Sequence, residues 1–205
     1  MRTLAIDCAT EACSVALFDC GSLIEGECRV LGRGHAEALV PMIAALPGKG
    51  RADRIAVSLG PGSFTGVRVG VAAARALAFA WNAQLTGYPT LALVAAMARG
   101  EAGAQPLTVA MTGGHGEWFV QDFAHDGAPG APLTSLTPAL AAQGGEDLVA
   151  GSQAEALVAL RGSGKALALW PDACRFALLP GHALTDRVEP LYGRAPDARL
   201  PASAA

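Results

Sequence analysis

Two short stretches carry residue types that could handle phosphate or metal. One is Asp7 in AIDCAT, a carboxylate closing an apolar run, with Thr10 three residues on. A carboxylate held there can seat a divalent cation, and phosphoryl transfer needs such charge neutralisation. An aspartate that only caps its own turn has the same local signature. The other is SLGPGSFTGVRVG, residues 58–70. Backbone amides presented where a glycine-rich turn opens a helix attract anions, which makes Gly60, Gly62, Ser63, Thr65 and Gly66 candidates for a phosphate turn. A Walker-type loop requires Gly-Lys-Ser/Thr, and Gly66-Val67-Arg68 stands there instead. A GxGxxG turn requires glycine where Thr65 stands. The alternative is a tight strand-to-helix turn capped by Ser63 or Thr65.

Other reactive residues form no constellation. No two of His35, His115, His125 and His182 are three or four apart, so no helical metal pair exists. His35, near a helix start, reads as a surface or capping residue. Cys13 lies on a strand with no local base, against a nucleophilic role. Trp81, Trp118 and Trp170 are too dispersed for a base-stacking platform.

The elements that position these residues follow from periodicity. RTLAIDCA, CSVALFDC and SLIEGECRV alternate as strands, the last two joined through Asp19-Cys20-Gly21-Ser22. HAEALVPMIAAL has helical spacing, and Pro41 should kink that helix or set its first turn. ADRIAVSLG reads as a strand, the segment after the glycine turn as a helix, LTGYP as a strand and TLALVAAMARG as a helix. TVAMTGGHGEWFVQDF repeats the strand–turn–strand shape of the N-terminus and puts Met111 opposite Asp7. GAPGAPL reads as a connector. PALAAQGG, DLVAG, QAEALVAL and KALALW complete a reduced second copy.

The helix after the glycine turn has a single polar stripe, Arg68, Arg75 and Asn82, each seven residues apart. Everything else on it is apolar or small. Two readings remain open: a two-sided helix with its own sheet on one side and a partner protein on the other, or a fully enclosed core helix.

Composition bounds the class. The 205 residues are 52% hydrophobic and 16% charged, below the roughly 25% charged typical of soluble domains. That imbalance suits a chain with part of its surface covered by a partner. Five cysteines without a CxxC pair read as reduced thiols in a cytosolic protein with no membrane span. A net charge of −3 with scattered cations argues against a free-standing nucleic-acid binder.

AIDCATEACSVALF, GHAEALVPMI and SLGPGSFTGVRVGVAAARALA together closely resemble the TsaB (YeaZ) family over about residues 1–98, and PLYGRAPDA is similar to its C-terminal motif. The resemblance implies an α/β, actin-like ATPase (ASKHA, ribonuclease H-like) fold with two βββαβα-type lobes, the second reduced. The expected division is an N-terminal lobe with dimerisation helices at 1–100, a smaller lobe at 101–190 and a C-terminal tail at 191–205.

It also implies a non-catalytic paralogue of TsaD, with no catalytic or metal residues of its own. Such a subunit scaffolds or activates the complex that forms N6-threonylcarbamoyladenosine (t6A) beside the anticodon of tRNAs reading codons that begin with adenine. TsaD would be the heterodimer partner, TsaE the ATPase and TsaC the source of the activated intermediate. ATP and metal would sit on those partners, and tRNA would be met only through the complex. A homodimer through the same helices is the other pairing implied. TsaD carries an HxxxH pair where this chain has Thr90 and Val94, which leaves Asp7 and the glycine turn as vestiges. The family's partner surface carries over to Leu39 and Ile43 on one helix and to Val67, Gly70, Val71, Ala74 and Ala78 on the other. The second lobe opens with MTGGHGEWF, which keeps Glu117 but lacks the family's usual acid and arginine. The competing class is an enzyme, a small actin-like kinase or an M22-type peptidase.

Overall fold

The computed structural model describes residues 1–193. Apolar alternation produces three antiparallel strands, β1 (Arg2–Asp7), β2 (Ala12–Asp19) and β3 (Ser22–Val30). Cys20 and Gly21 both take positive φ, 48° and 83°, as a two-residue hairpin turn of the right twist requires. Helix α1 (His35–Ala45) continues past Pro41, which lies inside it, so Pro41 does not set its first turn. Pro41 has no N–H for the Glu37 carbonyl, and it faces outward where water can take that role. The parallel strands β4 (Arg54–Ser58) and β5 (Gln84–Tyr88) flank α2 (Phe64–Trp81) in sequence and complete a sheet of order β3-β2-β1-β4-β5.

Helix α3 (Thr90–Ala102) follows. The second sheet contains β6 (Leu107–Thr112), β7 (Trp118–Phe123), β8 (Thr134–Leu136), β9 (Leu148–Ala150) and β10 (Lys165–Leu167). Short helices α4 (Pro138–Ala141) and α5 (Ala154–Arg161) connect its later strands. Its order, β10-β9-β6-β7-β8, repeats the first sheet strand for strand. The reduction is visible in strands of three residues and in a four-residue helix where the first lobe has eleven residues in α1. This is the duplicated α/β architecture expected from the sequence.

Helix α3 lies between the sheets. Leu91, Val94 and Ala98 pack on the second sheet with Leu107, Val109 and Phe123, while Leu93 and Met97 pack with Ala56 and Tyr88 of the first. Every residue from Thr90 to Ala98 is buried. The enclosed helix is therefore α3, buried from Thr90 to Ala98 and open only at its last turn. Helix α2 is not enclosed, because its side opposite the sheet is open.

The chain then returns to the first lobe. A 3-10 turn at Ala173–Leu178 puts Ala173 among Ala5, Ala16 and Phe18, and Phe176 stacks at centroid distances of 5.9 Å on Phe18 and 5.7 Å on Tyr88. Thr185 bridges to Gly87 on the outer edge of β5, and Leu191 N donates to Leu59 O at 2.7 Å. The division at 101–190 is thus corrected: from about Trp170 onward the chain builds on the first sheet. Of the stretch 191–205 expected as a tail, residues 194–205 lie outside the described residues. Among the described residues no helix is long and apolar enough to cross a membrane.

Candidate functional site

The glycine turn leaves β4 and packs directly on the β1–β2 turn. A Cβ on Gly62 would overlap the Ala9 carbonyl oxygen, and one on Gly66 would overlap the Cys8 carbonyl oxygen. Ser63 N donates to Ala9 O at 2.6 Å, and Ser63 Oγ caps α2 by accepting Gly66 N at 3.3 Å. Ser63, rather than Thr65, is the cap. Gly60 takes φ 92°, a conformation side chains resist. The glycines are explained by close approach of two pieces of this chain's own backbone, and two of the amides that could meet an anion are already committed.

Asp7 closes β1 but has no exposed surface. Its Oδ1 accepts Ala9 N at 2.9 Å, and the Tyr88 hydroxyl, donating to Ile6 O at 3.0 Å, lies 3.5 Å from Oδ2. Burial pushes the Asp7 carboxyl up to about 7 against backbone and hydroxyl donors that pull it down. Burial likewise holds the Tyr88 phenol well above its ordinary range. Beside them Ser58 Oγ and Thr90 Oγ1 share a hydrogen bond of 2.6 Å. Val94 sits in the core cluster under the second sheet. Met111 is buried in that same cluster, facing α3 as Asp7 does from the first sheet, and its sulfur accepts Ser152 N at 3.3 Å.

Between the lobes lies a cleft of about 670 Å³. Its walls include Thr10, Glu11, Ser63, Phe64 and Arg68 from the first lobe, Thr112, Gly113, Gly114 and His115 from the second, and Tyr192 from the returning segment. Asp7 is not among its lining residues. Glu11 is the carboxylate that reaches it, and Glu11 Oε1 accepts Trp170 Nε1 at 2.7 Å. Among the described residues no three His, Cys, Asp or Glu side chains converge to hold a metal.

The family model of TsaD, a tRNA N6-adenosine threonylcarbamoyltransferase, matches residues 29–129. Over 131 residues the chain is 36% identical to the tRNA threonylcarbamoyladenosine biosynthesis protein TsaB of Escherichia coli (strain K12), 62% of this chain and 56% of that one. The match therefore spans about half the length of that relative. Two solved structures from Pseudomonas aeruginosa superpose over nearly all of the chain. One, an uncharacterized protein with similarity to peptidase YEAZ, gives a TM-score of 0.80 at 29% identity, covering 94% of this chain and 99% of that one. The other, YeaZ, gives 0.76 at 27% identity, covering 93% and 99%. The chain is similar to proteins of the TsaB/YeaZ family.

The surface carried over from the TsaB/YeaZ resemblance requires correction. Leu39, Ile43, Val67, Gly70, Val71, Ala74 and Ala78 are all buried. They form the inward faces of α1 and α2, packed on Leu4, Ile6, Ile55 and Val57 of the sheet. Spacing identifies a close-packed helix face but not what covers it; here it is the protein's own sheet. The outward face of the same helices carries Phe79 at 91% exposure, Val40 at 61% and Phe64 at 58%, with Ala72, Ala76 and Ala80 between.

The two arginines of the polar stripe on α2 hold the returning segment. Arg68 lies 3.5 Å over the Phe64 ring and donates to the Tyr192 hydroxyl at 2.9 Å. Arg75 donates to Val188 O at 2.6 Å, and Asn82 ends the helix in a left-handed conformation, φ 53°. His35 is a buried clamp rather than a surface or capping residue, its Nε2 lying 2.8 Å from Thr10 O. Glu117, retained in MTGGHGEWF, accepts the Ser135 hydroxyl at 2.7 Å. Sequence reasoning missed Tyr88, whose only signal was an aromatic at the end of a short strand.

Proposed function

We propose that this chain acts in the formation of t6A on tRNA, as a subunit that pairs with a TsaD-type partner and leaves the chemistry to it. The observation that carries this is Asp7. The one acid in the position where actin-like enzymes keep a working carboxylate is sealed beneath Tyr88, out of reach of the cleft. The rest is consistent with it. The glycine turn is occupied by the chain's own backbone, and Thr90 and Val94, at the positions of TsaD's histidines, are packed in the interior. The relative from Escherichia coli is named for threonylcarbamoyladenosine biosynthesis.

The partner face is the outward side of α1 and α2. An apolar helical surface bearing Phe79, Val40 and Phe64 over small residues suits close packing of two further helices. TsaD is the occupant; a second copy of this chain would compete for the same face. ATP, metal and the activated intermediate then belong to the partners, with TsaE and TsaC completing the set and tRNA engaged by the assembly.

Reconstitution tests this. Purified TsaD, TsaE and TsaC with tRNA should form t6A when this chain is present and lose most of that activity without it. Undiminished t6A formation in its absence would overturn the proposal. ATP turnover with magnesium by the isolated chain would instead favour the small-kinase reading.

A further inference from the structure

Cys8 and Cys13 are neighbours across the first hairpin. The last ladder pair of β1 and β2 is Asp7 with Ser14. One step beyond it the two cysteines stand opposite each other, with sulfurs 3.3 Å apart. Both are reduced, and both point into the first-lobe core beneath α2. A disulfide requires about 2.05 Å between sulfurs, so closure asks for about 1.3 Å of movement across a hairpin that already holds the backbones together. No sequence pattern signalled the pair, since the spacing is neither CxxC nor a known metal spacing.

We propose that Cys8 and Cys13 form a site of reversible two-electron oxidation that takes hydrogen peroxide and closes to a disulfide. Cys13 attacks one peroxide oxygen; the O–O bond breaks, and the leaving hydroxide takes up the Cys13 proton as water. The Cys13 sulfenic acid is then attacked by the Cys8 sulfur. The S–S bond forms, and the sulfenyl hydroxyl leaves with the Cys8 proton as a second water. Two thiols lose two electrons and the peroxide gains them. Either thiol can donate across the 3.3 Å contact; with Cys8 as donor the Cys13 thiol is lowered and Cys8 raised, which makes Cys13 the better nucleophile. The oxidant must be small. Both cysteines are buried, and the adjoining Ala9 and Thr10 form part of the cleft wall.

The turn between them is a junction. Ala9 O holds the start of α2, Thr10 O meets His35 at the start of α1, and Glu11 O accepts Leu31 N and Gly32 N beyond β3. A disulfide there would pin the base of both partner-facing helices.

The test uses the full chain carrying Cys20→Ser, an exposed position. The folded protein is treated with hydrogen peroxide, quenched with catalase, alkylated, and cleaved after glutamate. Cleavage after Glu11 separates Cys8 from Cys13. The expected product is the pair of peptides joined, ~2 Da lighter than their sum because two thiol hydrogens are lost, and released by dithiothreitol. Adding Cys13→Ser should abolish the joined species. Separate, fully alkylated peptides at peroxide levels that oxidise the exposed Cys28 would overturn the proposal. Sulfinic or sulfonic acid on either cysteine without the joined species would do the same, as would a joined species that survives Cys13→Ser. The wild-type chain, treated in parallel and cleaved also after Phe18 to part Cys13 from Cys20, shows whether Cys8 and Cys13 join should the Cys20→Ser variant fold poorly.

Discussion

Tyr88 closes over Asp7: its hydroxyl donates to the carbonyl of Ile6 and rests 3.5 Å from the Asp7 carboxylate. A titratable group is thereby stored inside the first lobe with nothing in the cleft to act on. Its carboxyl holds its proton to about pH 7, against 3.8 when unfolded. Between those values the folded state binds more protons than the unfolded one, so stability falls as pH rises through the window. At 1.36 kcal/mol per unit the loss is at most roughly 4 kcal/mol. Asp7→Asn keeps an acceptor for Ala9 N and should flatten this dependence. Its melting temperature should exceed that of the wild type by several degrees at pH 8 and match it near pH 4. A wild-type chain that melts higher at pH 8 would contradict this account of Asp7.

The two faces of α2 should respond differently to charge. Phe79→Asp changes an almost fully exposed side chain and should leave the melting temperature nearly unchanged. On size-exclusion chromatography it should weaken association with TsaD at least about tenfold, or about 1.4 kcal/mol. Val71→Asp places a charge against the first sheet and should cost several kcal/mol, enough to prevent folding. Intact TsaD binding by Phe79→Asp would remove that face from the interface.

Gly62→Ala separates packing from ligand binding as the reason for the glycine turn. Overlap with the Ala9 carbonyl should cost about 1–3 kcal/mol in urea unfolding with no ligand added. Gly114→Ala on the opposite cleft wall meets nothing within 4 Å and should be close to neutral. Equal stability of the two variants would return the turn to the phosphate reading.

Arg75→Ala should loosen the returning segment. It removes the 2.6 Å bond to Val188 O, a charge-assisted contact at a solvent-exposed residue worth about 1 kcal/mol. Tryptic cleavage after Arg187 should accelerate several-fold while cleavage elsewhere does not. An unchanged digestion pattern would show that the bond does not hold the segment down.

What could be read from the sequence divides along physical lines. The first lobe was legible because its strands alternate over six to nine residues and its helices keep an apolar period. The three-residue strand β8 is too short to show any period, so it fell unassigned between the connector and the segment PALAAQGG. The seven interface candidates lie on one face of each of two helices, but Gly70, Ala74 and Ala78 mark close packing without naming what packs. Phe79, on the other face, was lost among so many apolar neighbours. His35 and Tyr88 find their partners 25 and 82 residues away, and no local pattern encodes such pairings. The return of the chain to the first sheet rests on Ala173 and Phe176, single bridges and arginine contacts, none of which has a periodicity to detect.

That return has a consequence for how the protein is made. The first sheet is built from the first 88 residues, yet Thr185, Val188, Leu191 and Tyr192 finish its edge and clamp its second helix. Contacts spanning roughly a hundred residues or more form slowly, because the loop must close before they contribute. As the chain leaves the ribosome, the lobe synthesised first stays unfinished until Tyr192 has emerged. Through that interval the apolar side of α2 is available to any partner already assembled nearby.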